Sequence, residues 1–337
     1  MIASAISAGA LVFTLLSPTI SVADNCVGFA GGDGSSGNPY QITSVDEFKA
    51  LENCQRDNSF KLINDIDFGG NQPLAGISRF IGSLDGNGKT LSNLKVSSTY
   101  DNGNGSIKLG LFNELGGTGS ISNLSVSGLE LADLPDVNVS NSGFVAFATG
   151  GFTLSQIELS GVNQMSNSFY SAGLVGQATV SSDTTIEKID IQTDLFCGSS
   201  QSCGGLFGAL QASGTATSFD TLKVDTDFAQ LTENNALNAG GLVGVFMNGS
   251  SGSSLKVTIQ DAIVTLSNAS PQKGGRVGGI LGMFRSQQVD TSVELELDRV
   301  ALGGVIPNGT ERAAIAGFQI EGGGDAVDAR LTLKEIM

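Results

Sequence analysis

The chain has 337 residues, 40% of them hydrophobic, with 47 glycines against 6 prolines, no histidine and no tryptophan, a formal net charge of −16 and a pI of about 4.2. Such an acidic surface repels phosphate backbones and anionic bilayers, which argues against nucleic acid as a partner. Without histidine the chain lacks the commonest general base and the commonest zinc ligand.

The first 23 residues carry no charged side chain, and Leu11, Val12, Phe13, Leu15 and Leu16 form an apolar run that ends in the small residues Ser21, Val22 and Ala23. This pattern resembles a secretory signal (residues 1–23) cleaved to leave Asp24 at the mature N-terminus. No later stretch is long and apolar enough for a membrane span, so the expected location is secreted or cell-surface. The four cysteines fit that oxidising setting as disulfides. Cys26 and Cys54 both fall in the first mature segment and are paired here. Cys197 and Cys203 bracket a Gly- and Ser-rich loop that can bring their Cα atoms to within about 6 Å.

Residues 24–75 read as an N-terminal cap module. Ser44 and Glu47 have the spacing of a capping box, and Val45, Phe48 and Leu51 share a helical face, which predicts a short helix from about Val45 to Cys54. Such a helix would cover the open end of the first coil.

Residues 76–337 are repetitive. A glycine-started apolar segment begins at Gly110, Gly143, Gly173, Gly205, Gly241 and Gly279, with a decayed copy at Ala314; successive starts are 30 to 38 residues apart. In its full form it reads Gly173-Leu174-Val175-Gly176. Each copy is followed by an apolar–polar–apolar triplet: Leu124 to Val126, Ile157 to Leu159, Ile189 to Ile191, Leu222 to Val224, Val257 to Ile259, Leu295 to Leu297 and Leu331 to Leu333, with Leu94 to Val96 as an earlier member. One such unit cannot bury its own apolar face, whereas units stacked in parallel can. The expected architecture is all-β: a right-handed parallel β-helix, or solenoid, behind a short capping helix. In it Leu124, Val126, Ile157, Leu159, Ile189, Ile191, Leu222, Val224, Leu295 and Leu297 point inward. Lys95, Ser125, Glu158, Asp190, Lys223, Thr258, Glu296 and Thr332 form an outward ladder.

Asn38 to Ile42, the segment Leu62 to Phe68, the stretch Phe80 to Leu94 and the Gly-Leu-Val/Phe-Gly coils together resemble the GLUG-motif proteins. Membership would imply a bacterial surface or secreted β-helix, adhesin-like in many cases and in others a stalk beside an IgA-cleaving metallopeptidase. The His-Glu-x-x-His zinc helix of those peptidases is missing, so the resemblance implies the scaffold without the protease.

Three constellations could carry chemistry. Asp85-Gly86-Asn87-Gly88-Lys89 reads as the acid and lysine of a polysaccharide-cleaving β-helix, or as a tight turn in which Gly86 and Gly88 supply positive φ and Asp85 caps N–H groups. Asp65 and Asp67 are too few oxygens for calcium by themselves. Glu294, Glu296 and Asp298 line one strand face at a spacing that glycoside hydrolysis allows, as any acidic solvated face would. The Gly31 to Gly34 fragment is isolated, and the Asn-x-Ser/Thr sites at Asn104, Asn123, Asn138, Asn248, Asn268 and Asn308 read as composition. No catalytic, cofactor or metal residue is assigned. The expected function is a non-catalytic, adhesin-like scaffold that contacts surface glycans or cell-surface proteins; the alternative is a polysaccharide lyase or glycoside hydrolase on the same fold. Ice binding needs an outward threonine array, and only Thr258 and Thr332 offer one.

Overall fold

The computed structural model describes residues 26–336 except 55–56, 71–72, 102, 104, 133, 135–136, 165–167, 182, 198–201, 213–216, 232–237, 249–254, 268–274, 286–291, 306–310, 314 and 317–327. The expected signal, residues 1–23, lies outside the described residues, as do Asn104, Asn268, Asn308, Ala314 and residues 198–201 of the loop between Cys197 and Cys203.

Two 12-stranded sheets face each other across one continuous core. The first runs through Tyr40–Ile42, Ser59–Leu62, Ser83–Ser98, Ser120–Leu131, Thr153–Gln164, Thr185–Cys197, Thr217–Leu231, Leu255–Ser267, Ser292–Gly304 and Asp328–Leu333, each strand parallel to the next. The second sheet is built from Ile107–Gly116 and Val139–Gly150, then from pairs of short strands such as Ser168–Ala172 with Val175–Val180. The chain alternates between the sheets, which makes it a parallel β-solenoid. The short pairing of Tyr100–Asp101 with Ile107–Gly116 is antiparallel.

The glycines of the repeat explain the second sheet. Its two short strands meet at an elbow, and Leu174, Leu206, Leu242 and Ile280 point from that elbow into the core, fully buried. At the elbow the backbone of one coil bonds to the next: Gly173 N–H donates to Gly205 O at 3.1 Å, Gly205 N–H to Gly241 O at 3.1 Å, and Gly241 N–H to Gly279 O at 3.2 Å. A Cβ on Gly173 would stand 2.7 Å from Gly205 O, and one on Gly208 would stand 2.6 Å from Gly176 O. Both glycine columns are therefore required by close approach of neighbouring coils.

The expected short helix forms ahead of the coils. The helix Val45–Ala50 is followed by a 3-10 turn, Leu51–Asn53. Ser44 Oγ accepts from Glu47 N–H at 3.4 Å, while the Glu47 carboxylate reaches back to Thr43, accepting from its N–H at 2.5 Å and its hydroxyl at 2.8 Å. Phe48 on the buried face meets Phe68 and Phe112 edge-on, and a file of rings continues through Phe60, Phe80, Phe112 and Phe144 at centroid distances of 5.5 to 6.1 Å. Cys26 is bonded to Cys54 and Cys197 to Cys203, with Cα separations of 5.1 and 6.1 Å. The second bond ties the end of a first-sheet strand to a short strand of the second sheet.

The expected inward residues are buried, and most are in register: Leu124, Ile157, Ile189 and Leu222 form one column, and Val126, Leu159, Ile191 and Val224 another, whereas Leu295 and Leu297 stack on Val257 and Ile259 in columns of their own. The outward ladder needs a correction. Ser125, Glu158, Asp190 and Lys223 are stacked, but the column then continues to Ile263 and Ala301. Thr258, Glu296 and Thr332 belong to a neighbouring column that includes Ser218, and Lys95 pairs with Glu130 rather than with Ser125. The reason is a bend in each strand that puts an apolar–polar–apolar triplet on both of its sides, so alternation alone does not say which triplet matches which. Glu296 also differs: it is only 5% exposed, because Lys256 and Lys334 close over it.

Candidate functional site

The bend is made by a column of residues in the left-handed region, Asn87, Asn123, Gln156, Lys188, Thr221, Asp261 and Arg299, with φ between 52° and 56°; Asn93, φ 54°, makes a second bend farther along the strand Ser83–Ser98. A left-handed residue between extended neighbours turns the strand while leaving both flanks able to bury their alternate side chains. The buried residues on either side are then three apart instead of two, as in Ile121 and Leu124, Leu154 and Ile157, Ile186 and Ile189, and Phe219 and Leu222. Asparagine tolerates this region best, and the non-Asn residues here are held in it by ladders above and below.

The bend leaves a groove of about 730 Å³ on the outside of the first sheet, running along the solenoid axis over four coils. Asn87, Asn123, Gln156 and Lys188 form one side, Ser125, Glu158 and Asp190 the other, and Asp85 closes one end. Asp85 Oδ1 accepts from Asn87 N–H at 2.8 Å and Asn123 Nδ2 at 3.1 Å, and its other oxygen lies 3.2 Å from Lys61 Nζ. Partial burial pushes this carboxyl up, but the Asn123 amide, the Asn87 N–H and Lys61 outweigh it and hold it below the ordinary carboxylate range. Lys223 Nζ bonds Asp190 at 2.8 Å, which raises the lysine. Among the described residues Glu158 accepts from Ser125 Oγ alone, at 3.3 Å. Gln156 and Lys188 make no side-chain bond among the described residues.

Of the three constellations, the Asp85 to Lys89 turn lines this groove, whereas Asp65 and Asp67 and the row Glu294, Glu296 and Asp298 do not. Gly86 does not have positive φ, contrary to expectation; its Cβ would lie 2.4 Å from Asn123 O, so it is glycine for closeness, while Asn87 and Gly88 supply the left-handed turn. Asp65 accepts from Thr90 N–H, and Asp67 from Gly69 N–H and the Asn93 amide, each as a capping group. The acidic row is held by cations: Lys256 lies 3.6 Å from Glu294 and 2.5 Å from Glu296, Lys334 is 2.6 Å from Glu296, and Arg299 bonds Asp298 and Asp261. The Lys256 and Lys334 bonds pull Glu296 below the ordinary range. Among the described residues no group of three or more His, Cys, Asp or Glu side chains is placed to hold a metal.

Two features escaped the sequence reading. Gln156 and Lys188 carry no local signal except the three-residue spacing of buried neighbours around them. Lys108, just before the first coil glycine, is buried against Glu114 at 2.9 Å, with the rings of Tyr100 and Phe147 each 5.7 Å from its Nζ. In addition, Asp194 lies in register with Asp227 and near Asp225; burial and those two like charges push its carboxyl up.

No family model matches the chain. Over 179 residues it is 30% identical to halomucin from Haloquadratum walsbyi, a match that covers 48% of this chain and 2% of halomucin. The chain is also similar to the crystal structure of a candidate immunoglobulin A1 protease from Bacteroides ovatus, with a TM-score of 0.41 and 15% identity over 90% of this chain and 80% of that one.

Proposed function

We propose that this chain works outside the cell as a non-catalytic, adhesin-like β-solenoid scaffold of the GLUG type, whose lateral groove is its contact surface. The observation that carries the reading is the groove itself: it is continuous over four coils, and among the described residues its heads at Gln156 and Lys188 have no side-chain partner while Glu158 accepts from Ser125 Oγ. The groove's own half-buried carboxyl, Asp85, is held ionised, which suits hydrogen-bond acceptance and not proton donation. Two disulfides and the signal-like leader support an oxidising, exported setting. Glycans or cell-surface proteins are the partners this surface suits. The test is a panel of glycans and polysaccharides read both for binding and for release of reducing or unsaturated ends. Binding without release is the expected result; turnover abolished by Asp85→Asn or Glu296→Gln overturns the reading. The intact mass of the exported protein, expected to start at Asp24, tests the leader.

A second reading, glycoside hydrolysis, rests on Asp194. A carboxyl raised by partial desolvation and by the neighbouring Asp227 and Asp225 carboxylates has the electrostatics of a general acid beside other acids. Turnover in the same panel, lost in Asp194→Asn, would favour it.

A further inference from the structure

We propose that the groove binds a linear, electrically neutral glycan lying along the solenoid axis. This rests on the scaffold reading above and names its ligand. Three observations support it. The left-handed column places one polar head per coil, Asn87, Asn123, Gln156 and Lys188, and neighbouring parallel strands are about 4.8 Å apart, close to the length of one pyranose unit. A linear glycan therefore meets one polar head at each sugar over three inter-coil steps of about 14 Å, Gln156 and Lys188 open and the Asn87 and Asn123 amides with their Nδ2 already donated to Leu62 O and Asp85. A volume of about 730 Å³ lies within the range of small-ligand sites.

The second observation is the chemistry of the heads. Hydroxyls donate and accept, and the groove offers both in alternation: the Gln156 amide, the Glu158 carboxylate and the Lys188 ammonium lie side by side. The third is charge. In and beside the groove, carboxylates are taken up by cations: Asp85 by Lys61 and Asp190 by Lys223 among the lining residues, Glu130 by Lys95 and Asp261 by Arg299 beyond them. The groove is left with one acid, Glu158, and one base, Lys188, which cancel. A polyanion would face the chain's net charge of −16, and a polycation would find Asp85 and Asp190 already neutralised.

With no aromatic side chain among the groove's lining residues, each sugar contributes a small share of affinity from hydrogen bonds alone. Affinity should then rise with chain length and level off once the groove is filled. The experiment titrates the purified chain with neutral linear oligosaccharides of one to six units and with uronate oligomers of the same lengths. It is repeated on Gln156→Ala/Glu158→Ala/Lys188→Ala and on Lys95→Ala as a control outside the groove. The expected result is binding of a neutral series that tightens to about three units and then flattens, at least tenfold weaker in the triple variant and unchanged in the control. Preference for uronates, no length dependence, or no binding of any neutral series overturns the proposal. Glycan binding that survives the triple variant also overturns it, while leaving the broader scaffold reading intact with its contact surface elsewhere.

Discussion

Gly205 and Thr226 sit back to back across the core: a Cβ built on Gly205 would stand 2.2 Å from the Thr226 hydroxyl and 2.5 Å from Gly241 O. The elbow of the second sheet thus rests directly on the first sheet, and one methyl group has nowhere to go because one of its neighbours is backbone. Gly205→Ala is expected to destabilise the fold by about 1–3 kcal/mol or more, as overpacked cores do. Gly37→Ala, where nothing lies within 4 Å, should change little. Urea unfolding of both variants checks this.

The two disulfides should differ in worth. They join residues 28 and 6 apart. Loop-closure entropy assigns about 3.6 kcal/mol to the longer loop and about 2.2 kcal/mol to the shorter. Replacing Cys26 and Cys54 by Ser should therefore lower the urea midpoint more than replacing Cys197 and Cys203. The reverse order would mean that the bond between the two sheets constrains more than its own short loop.

Asp194 is a carboxyl pushed up by burial and by Asp227 and Asp225. For an acid with a raised folded value, the unfavourable contribution grows as pH rises through the window between the unfolded and folded values, and is absent below both. Asp194→Asn should therefore stabilise the chain at pH 7, by less than about 1 kcal/mol given its contact with water, and give no gain at pH 3. Equal gains at both pH values would argue against the electrostatic account.

Asp85, Glu47 and Glu296 are held low and act with the opposite sign. Their contribution is complete above the unfolded value, near pH 4, and is lost as pH falls through the lower folded values. Thermal unfolding should show a midpoint that declines below about pH 4, and Asp85→Asn should flatten that decline. A decline of the same steepness in the variant would remove Asp85 from the explanation.

The coils, the capping helix and the inward columns were legible because glycine spacing and two-residue alternation report directly on what must be buried. The register of Thr258 and Glu296 was not, since a strand bent at Asp261 or Arg299 presents the same triplet before and after its bend. The groove was half legible. Asp85, Ser125, Glu158 and Asp190 belong to patterns visible along the chain, whereas Gln156 and Lys188 gain their place only from a backbone conformation that their residue types do not advertise. A triplet preceded by a buried residue three positions back, as Ile157 is by Leu154, is the trace such a bend leaves in a sequence.

The hydrogen bonds from Gly173 to Gly205, Gly241 and Gly279 point from coil to coil, so tension applied between the two ends of the solenoid is borne by one coil junction at a time. The molecule should yield to pulling as a stack of detachable rings, each releasing roughly 11 nm of contour for a coil of 30 to 38 residues. Force then rises and falls in even steps, and a tether built this way lengthens under load while the coils still in place keep their shape.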